Sequence, residues 1–176
     1  MACKLLVTSL FVKDYTGAMP KRYGQPCPVA KSLELLGERW TLLVIRDLLS
    51  GPRRFQDLAA SLDGIAPNVL SERLKVLEEH GIVAREFYSD HPPRAAYTLT
   101  PRGRDLGKVV GALAVWGSRH IHRDATLVHD DCDAALELKY YCPKCDTRVS
   151  GRTVHLRTRT RRPARPSTRT RRTAAR

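Results

Sequence analysis

The segment FQDLAASLDGIAPNVLSERLKVLEEHGIVAREFYSDHPPRAAYTLT, residues 55–100, changes its hydrophobic period twice, and that narrows the folds open to the chain. Leu58 and Leu62 recur at helical spacing before Asp63-Gly64 breaks the pattern, and Pro67 restarts a helix where its missing N–H costs nothing. In this second helix Leu70, Leu74 and Leu77 share one face and must meet a core. Asn68, Ser71, Glu72, Lys75 and Glu79 are left on the opposite side. His80-Gly81 stops the helix, Ile82 to Tyr88 reads as a strand, Pro92-Pro93 with Arg94 forms a rigid basic loop, and Ala96 to Leu99 returns. Two short hinged helices followed by a hairpin are expected.

The 176 residues suffice for one well-buried domain and a smaller appendage, without disulfides. The net charge of +13 suggests an anionic partner, yet its distribution is uneven. All 18 acidic residues lie at or before Asp146 and 11 arginines lie beyond it, so residues 1–146 carry 20 basic against 18 acidic residues. Attraction to a polyanion in that part must come from local patches such as Arg53, Arg54, Lys75 and Arg94. The tail RTVHLRTRTRRPARPSTRTRRTAAR lacks the apolar content for a core and is expected to be disordered. It reads either as a flexible arm that binds phosphates through counterion release or as the product of a frame slip in a GC-rich gene. No apolar run approaches the eighteen or so residues of a membrane span, and LLVTSLFV is short and carries Thr and Ser. A soluble, cytoplasmic protein is expected.

Composition divides the chain into an irregular leader at 1–26, a helical domain with a hairpin at 27–122, a Cys/His module at 123–150 and the arginine tail at 151–176. Met19 within the leader is a candidate translation start. In the second segment, Thr100 caps a long helix with Pro101 at its first position, expected to run to about His122. Leu106, Val109, Val110, Leu113, Trp116 and His120 trace an apolar stripe along it, suited to a partner helix.

A helix with a polar face beside a hairpin with a basic tip is how small domains read duplex DNA. The major groove, about 12 Å wide, admits one helix whose N-terminal residues approach base edges. Asn68 and Ser71 both donate and accept, and Lys75 reaches a phosphate or a guanine. The same residues also describe an ordinary amphipathic helix with a solvated face. Arg73 falls beside the apolar stripe, where it either braces the domain through an ion pair or touches DNA. His91 and Arg94 in the proline-bounded loop suit a minor-groove or phosphate contact. Arg53 and Arg54 precede the first helix of the pair, either near the DNA backbone or on a solvated turn.

Farther on, His129-x2-Cys132 and Cys142-x2-Cys145 provide two ligand pairs at two-residue spacing, the number and kind that tetrahedral Zn2+ takes. A structural Zn2+ in a small zinc-ribbon-like extension is expected, with a lone Cys142/Cys145 redox pair as the alternative.

Read together, CPVAKSLELLGERWTLLVIRDLLSGPRRFQDL, GIAPNVLSERLKVLEEHGIV and YTLTPRG followed by LAVWG resemble the HxlR family of winged helix-turn-helix regulators over about residues 20–120. The resemblance implies a mainly α winged helix-turn-helix fold with a small β-hairpin. It further implies a bacterial transcription factor acting on palindromic operators in double-stranded DNA, as a homodimer built by terminal helices and under the control of a small-molecule or redox inducer. Some relatives carry a similar C-terminal extension, and others sense oxidants through an N-terminal cysteine, a role that would fall to Cys27. That chemistry needs an acidic, accessible thiol; otherwise Cys27 is a small buried hydrophobe. The resulting expectation is a dimeric repressor that is not an enzyme. The rivals are a winged-helix protein-interaction adaptor without operator binding and a CxxC thiol oxidoreductase; the latter lacks the strand-to-helix setting of the thioredoxin type.

Overall fold

Three of the helices begin on a proline, a residue whose fixed φ suits the first turn and whose absent N–H would find no partner there. They are α1 (Pro28–Leu36), α4 (Pro67–Glu79) and α5 (Pro101–Arg104). Between and after them come α2 (Thr41–Leu49), β1 (Arg53–Arg54), α3 (Phe55–Ser61), β2 (Val83–Asp90), β3 (Pro93–Leu99) and α6 (Gly107–His120). The computed structural model describes residues 23–90 and 93–156. The leader to Arg22, the loop residues His91 and Pro92, and the tail from Arg157 lie outside them, and so do the readings of His91, of Met19 and of the arginine arm.

The core of the first unit, which runs to Leu136, draws on every expected apolar stripe up to Leu99. Val44, Ile45 and Leu48 of α2 meet Leu58, Leu62, the three leucines Leu70, Leu74 and Leu77 of α4, and Ile82, Val83 and Leu99 from the sheet. Burying each of these large side chains is worth about 1.5–3 kcal/mol relative to exposure. The hinge between α3 and α4 is a tight turn in which Gly64 takes φ +82, and α4 ends where Gly81 takes φ +64, left-handed conformations that cost a residue with a Cβ.

The hairpin is longer than the sequence suggests, and it is part of a three-stranded sheet. Asp90 pairs with Pro93, so the expected loop is almost wholly strand, with a proline tolerated as the first residue of β3. Arg53 and Arg54 form β1 on the outer edge, opposite Tyr97 and Ala96, in the sheet order β1-β3-β2. A two-residue strand is too short to show alternation, so the sequence reads it as a turn.

The single helix expected from Thr100 to about His122 is interrupted. Thr100 does cap it, its hydroxyl accepting from the Gly103 amide at 3.1 Å. Leu106 then bonds back to Gly103, and Val109 to Leu106, three residues rather than four, so the chain tightens between α5 and α6. Gly103 lies so close to the Ile82 carbonyl that a Cβ there would come within 2.1 Å of its oxygen. That approach seats α5 on the start of β2, and the helix restarts at Gly107 to follow α2, with Gly107 against Leu49.

The second unit, from Glu137, holds the antiparallel pair β4 (Tyr140–Cys142) and β5 (Thr147–Val149), followed by a 3-10 turn at Gly151–Thr153. The segment 123–150, set apart by composition, falls partly in each unit.

Candidate nucleic-acid interface

Helical spacing sends α4's leucines inward, and its other face follows from geometry. Leu70, Leu74 and Leu77 are at most 1% exposed, while Asn68, Ser71, Glu72, Lys75, Glu78 and Glu79 are exposed. The residue before α4, Ala66, has no side chain to cap the helix, so the first-turn amides have no side-chain partner and face outward with the positive end of the helix dipole. Lys75 forms an i,i+4 pair with Glu79 at 3.8 Å, an exposed contact of small energy.

Ser71 also lines an open groove of about 580 Å3, together with Arg54, Gln56, Arg85, Tyr88 and Arg94. Three residues singled out in the sequence, Arg54, Ser71 and Arg94, are thus brought together, and α3, α4, β1, β2 and β3 or their ends all contribute. Exposed aromatic rings order the cations. The Arg54 guanidinium carbon is 4.8 Å from the Tyr88 ring centroid, and that of Arg85 is 4.7 Å from Phe87. Stacking of this kind is worth about 0.5–1 kcal/mol at exposed sites and leaves the N–H groups free for an anion. It also explains why Phe87 and Tyr88, 58% and 48% exposed, are tolerated on the surface. A bulge between Phe87 and Ser89 leaves Tyr88 out of the ladder and re-aims its ring. Arg54 further anchors α3, its backbone N–H donating to Asp57 Oδ2 at 3.0 Å.

Arg85, Gln56 and Tyr88 escape a reading of the sequence. The alternation Arg85-x-Phe87 was a signal that the two side chains share a strand face, but the pairing of Arg85 with Tyr97 is not local. Arg53 is exposed on β1 outside the groove. Arg73 is largely enclosed, its side chain 14% exposed; it pairs with its neighbour Glu72 on the same helix at 2.8 Å, and its Nε has no hydrogen-bond partner.

Cys27 is the half-buried residue immediately before α1, and its carbonyl accepts from the Lys31 amide at 3.0 Å. Of the expected metal ligands, His129 and Cys132 are brought together, Nδ1 lying 3.3 Å from Sγ, and so are Cys142 and Cys145 in the second unit. Among the described residues, no three His, Cys, Asp or Glu side chains are gathered as a metal ion requires. The amide of Cys145, then its thiol, then the amide of Lys144 hold the Cys142 thiol below its ordinary range. The Tyr141 hydroxyl donates to Asp146 Oδ1 at 2.5 Å, which raises the Tyr141 pKa.

Comparison with known proteins agrees with this geometry. The family described as HxlR-like helix-turn-helix matches residues 35–125. The HTH-type transcriptional regulator Rv3095 of Mycobacterium tuberculosis is 39% identical over 130 residues, 72% of this chain and 82% of its own. The HTH-type transcriptional regulator YodB of Bacillus subtilis is 34% identical over 106 residues, 60% of this chain and 95% of its own. Among solved structures, PA1374 from Pseudomonas aeruginosa, a candidate transcription factor, superposes with a TM-score of 0.59 at 34% identity, covering 80% of this chain and 96% of that one. The redox regulator HypR in its oxidized form gives 0.51 at 33% identity over 53% of this chain and 97% of that one. With more than half its length matched and α4 presenting its polar face beside a sheet edged by arginines, the chain belongs to the HxlR-like helix-turn-helix family of DNA-binding transcriptional regulators.

Proposed function

We propose that the chain is a dimeric repressor that reads a palindromic operator and acts on the bacterial nucleoid in the cytoplasm. The observation that carries this reading is the juxtaposition of an outward α4 face with the groove lined by Arg54, Arg85 and Arg94. Asn68 and Ser71 address base edges, Arg54, Arg85 and Arg94 take the flanking phosphates, and repression is occlusion of a promoter. Among the described residues no helix is long and apolar enough to cross a membrane.

The dimer is supported by α6. It buries no residue fully, and Val109, Leu113 and Trp116 on its free side are 43%, 50% and 55% exposed, an apolar stripe of the kind that seeks a partner. A second copy meeting it with two-fold symmetry would set two α4 helices over half-sites about one helical turn, roughly 34–36 Å, apart. Release follows when a ligand or an oxidant changes the angle between the two reading heads. The sensor would then be Cys27, just before α1, a reading helped by the likeness to a redox regulator.

Selection of bound DNA from a random library with the native protein tests the proposal. The expected outcome is an inverted repeat, bound less tightly once Asn68, Ser71 and Lys75 are replaced by alanine. Failure to enrich any sequence, alongside capture of a protein partner through the same face, would favour the adaptor. Oxidation that weakens operator binding by wild type and not by Cys27→Ser would place the sensor; equal response of the two would remove Cys27 from that role.

A further inference from the structure

A cavity of about 290 Å3 lies in the first unit where α1, the end of α4 and the start of α5 and α6 meet. It shares no residue with the groove of Arg54, Arg85 and Arg94. Its wall is apolar: Leu36 and Ile82 are buried, and Leu35 and Leu106 are half-buried beside them. Ile82 presents only its side chain there, because its amide donates to the Leu77 carbonyl at 2.9 Å and its carbonyl accepts from the Thr100 amide at 3.0 Å. An occupant must therefore be apolar on the side that meets this wall.

The rim is polar and positive. Lys31, Ser32 and Arg102 form its exposed part, and the two cations differ. Lys31 is already paired, its Nζ lying 2.9 Å from Glu34 Oε1. Arg102 makes no ion pair among the described residues; its Nη1 donates to the His80 carbonyl at 3.0 Å. That bond fixes the guanidinium against the end of α4 and leaves its other N–H groups for a ligand. A planar fork with donors to spare suits a carboxylate, taken through two parallel hydrogen bonds.

The cavity also joins parts of the chain with different tasks. Ile82 lies just beyond α4, and Leu106 is the residue before α6. Thr100 Oγ1, 3.2 Å from the Ile82 carbonyl, and the close approach of Gly103 clamp α5 onto this side. On the other side α1 buries only Ala30 and Leu36, so it is held more lightly.

We propose that this cavity is an effector site for a small carboxylate with a compact apolar body. The carboxylate sits on Arg102 and the Ser32 hydroxyl, and the body lies on Leu35, Ile82 and Leu106. The volume is at the low end of the roughly 300–1,000 Å3 of ligand sites, which limits the body to a single ring or a short branched chain. The occupant favours the arrangement with α1 drawn toward Arg102, and so shifts the end of α4 against the start of α6. The effector role rests on the repressor reading above, whereas binding of the carboxylate does not.

The test uses the full chain and three probes, benzoate, isovalerate and benzamide, followed by amide NMR shifts and calorimetry. The two carboxylates should bind with shifts gathered at Ser32, Leu35, Ile82 and Leu106. Benzamide, which keeps the ring and loses the charge, should bind roughly tenfold more weakly or worse. Arg102→Gln should lose most of the carboxylate binding, and Lys31→Gln should lose less because Glu34 already engages that ammonium. Because Arg102 also holds the His80 carbonyl, Ser32→Trp gives a second check: it closes the mouth from an exposed position and should cause the same loss at an unchanged denaturant midpoint. Affinity for the sequence selected from the library should fall at saturating carboxylate in wild type, and in neither Arg102→Gln nor Ser32→Trp. Absence of carboxylate binding, equal binding of benzamide, shifts gathered elsewhere, or affinity retained in both variants would overturn the site. Binding at the site with operator affinity untouched would overturn the effector role. Failure of the library to yield an operator would count against the repressor reading alone, since probe binding is read without DNA.

Discussion

Helices α4 and α6 are nearly equal in length, 13 and 14 residues, and both are amphipathic, yet they use their faces in opposite ways. In α4 the apolar stripe disappears into the core and the polar face is what solvent meets. In α6 only Leu106, just before it, and Val110 pack on the core, while Val109, Leu113 and Trp116 stay out. The difference teaches where each kind of specificity lies. A helix whose apolar side is satisfied is rigid and free to display hydrogen-bonding groups; one whose apolar side is unsatisfied displays a need for a partner.

The largest effect should come from breaking the α6 side of this contrast. Replacing both Leu113 and Trp116 by Asp removes apolar area worth about 1.5–3 kcal/mol per side chain on each protomer and adds charges there. Light scattering should show the proposed dimer reduced to a monomer with an unchanged circular dichroism spectrum, since neither residue is part of the core. A dimer that persists would mean that the two-fold contact lies elsewhere and that the exposed stripe is ordinary surface.

On α4, the same kind of residue should act on stability instead. Leu74→Ala opens a cavity at a position 1% exposed and should cost about 2–5 kcal/mol, read as a fall in the denaturant midpoint. A loss below about 1 kcal/mol would mean that the core relaxes to fill the gap. On the opposite face, Asn68→Ala should leave the denaturant midpoint within about 0.5 kcal/mol and cost about 1–3 kcal/mol of discrimination between operator and non-operator DNA. Equal losses on both sequences would assign Asn68 to the backbone and move base reading to Ser71 or Lys75.

These residues also mark where the sequence is legible. The two faces of α4 could be read directly because a 3.6-residue period is local: three leucines name the buried side, and the rest follows. The hinge at Asp63-Gly64 and the cap at Thr100 were equally local. What was hidden depends on approach between distant segments. The break between α5 and α6 arises because Gly103 meets the Ile82 carbonyl, and no periodicity around residue 103 reports on residue 82. The strand β1 exists only because Arg53 and Arg54 find Tyr97 and Ala96. Arg73 sat at the margin of the stripe, where helical spacing alone left two roles open; it is largely enclosed and pairs only with the adjacent Glu72 among the ion pairs described.

Arg85 is the residue that most sharpens the contrast, although its effect should be the smallest. It stands on β2, outside α4, paired with Tyr97 and held over the Phe87 ring, so it contributes a cation already ordered before DNA arrives. A phosphate contact of this kind carries no base information, so Arg85→Ala should weaken operator and non-operator binding alike and lower the slope of log affinity against log salt by about 1. Phe87→Leu keeps the charge and removes the ring's π face. If ring stacking orders the arginine, this variant should retain the full salt slope while losing part of the affinity, up to about 0.5–1 kcal/mol. A slope unchanged in Arg85→Ala would take Arg85 off the phosphate path and leave Arg54 and Arg94 as the groove's candidate phosphate contacts.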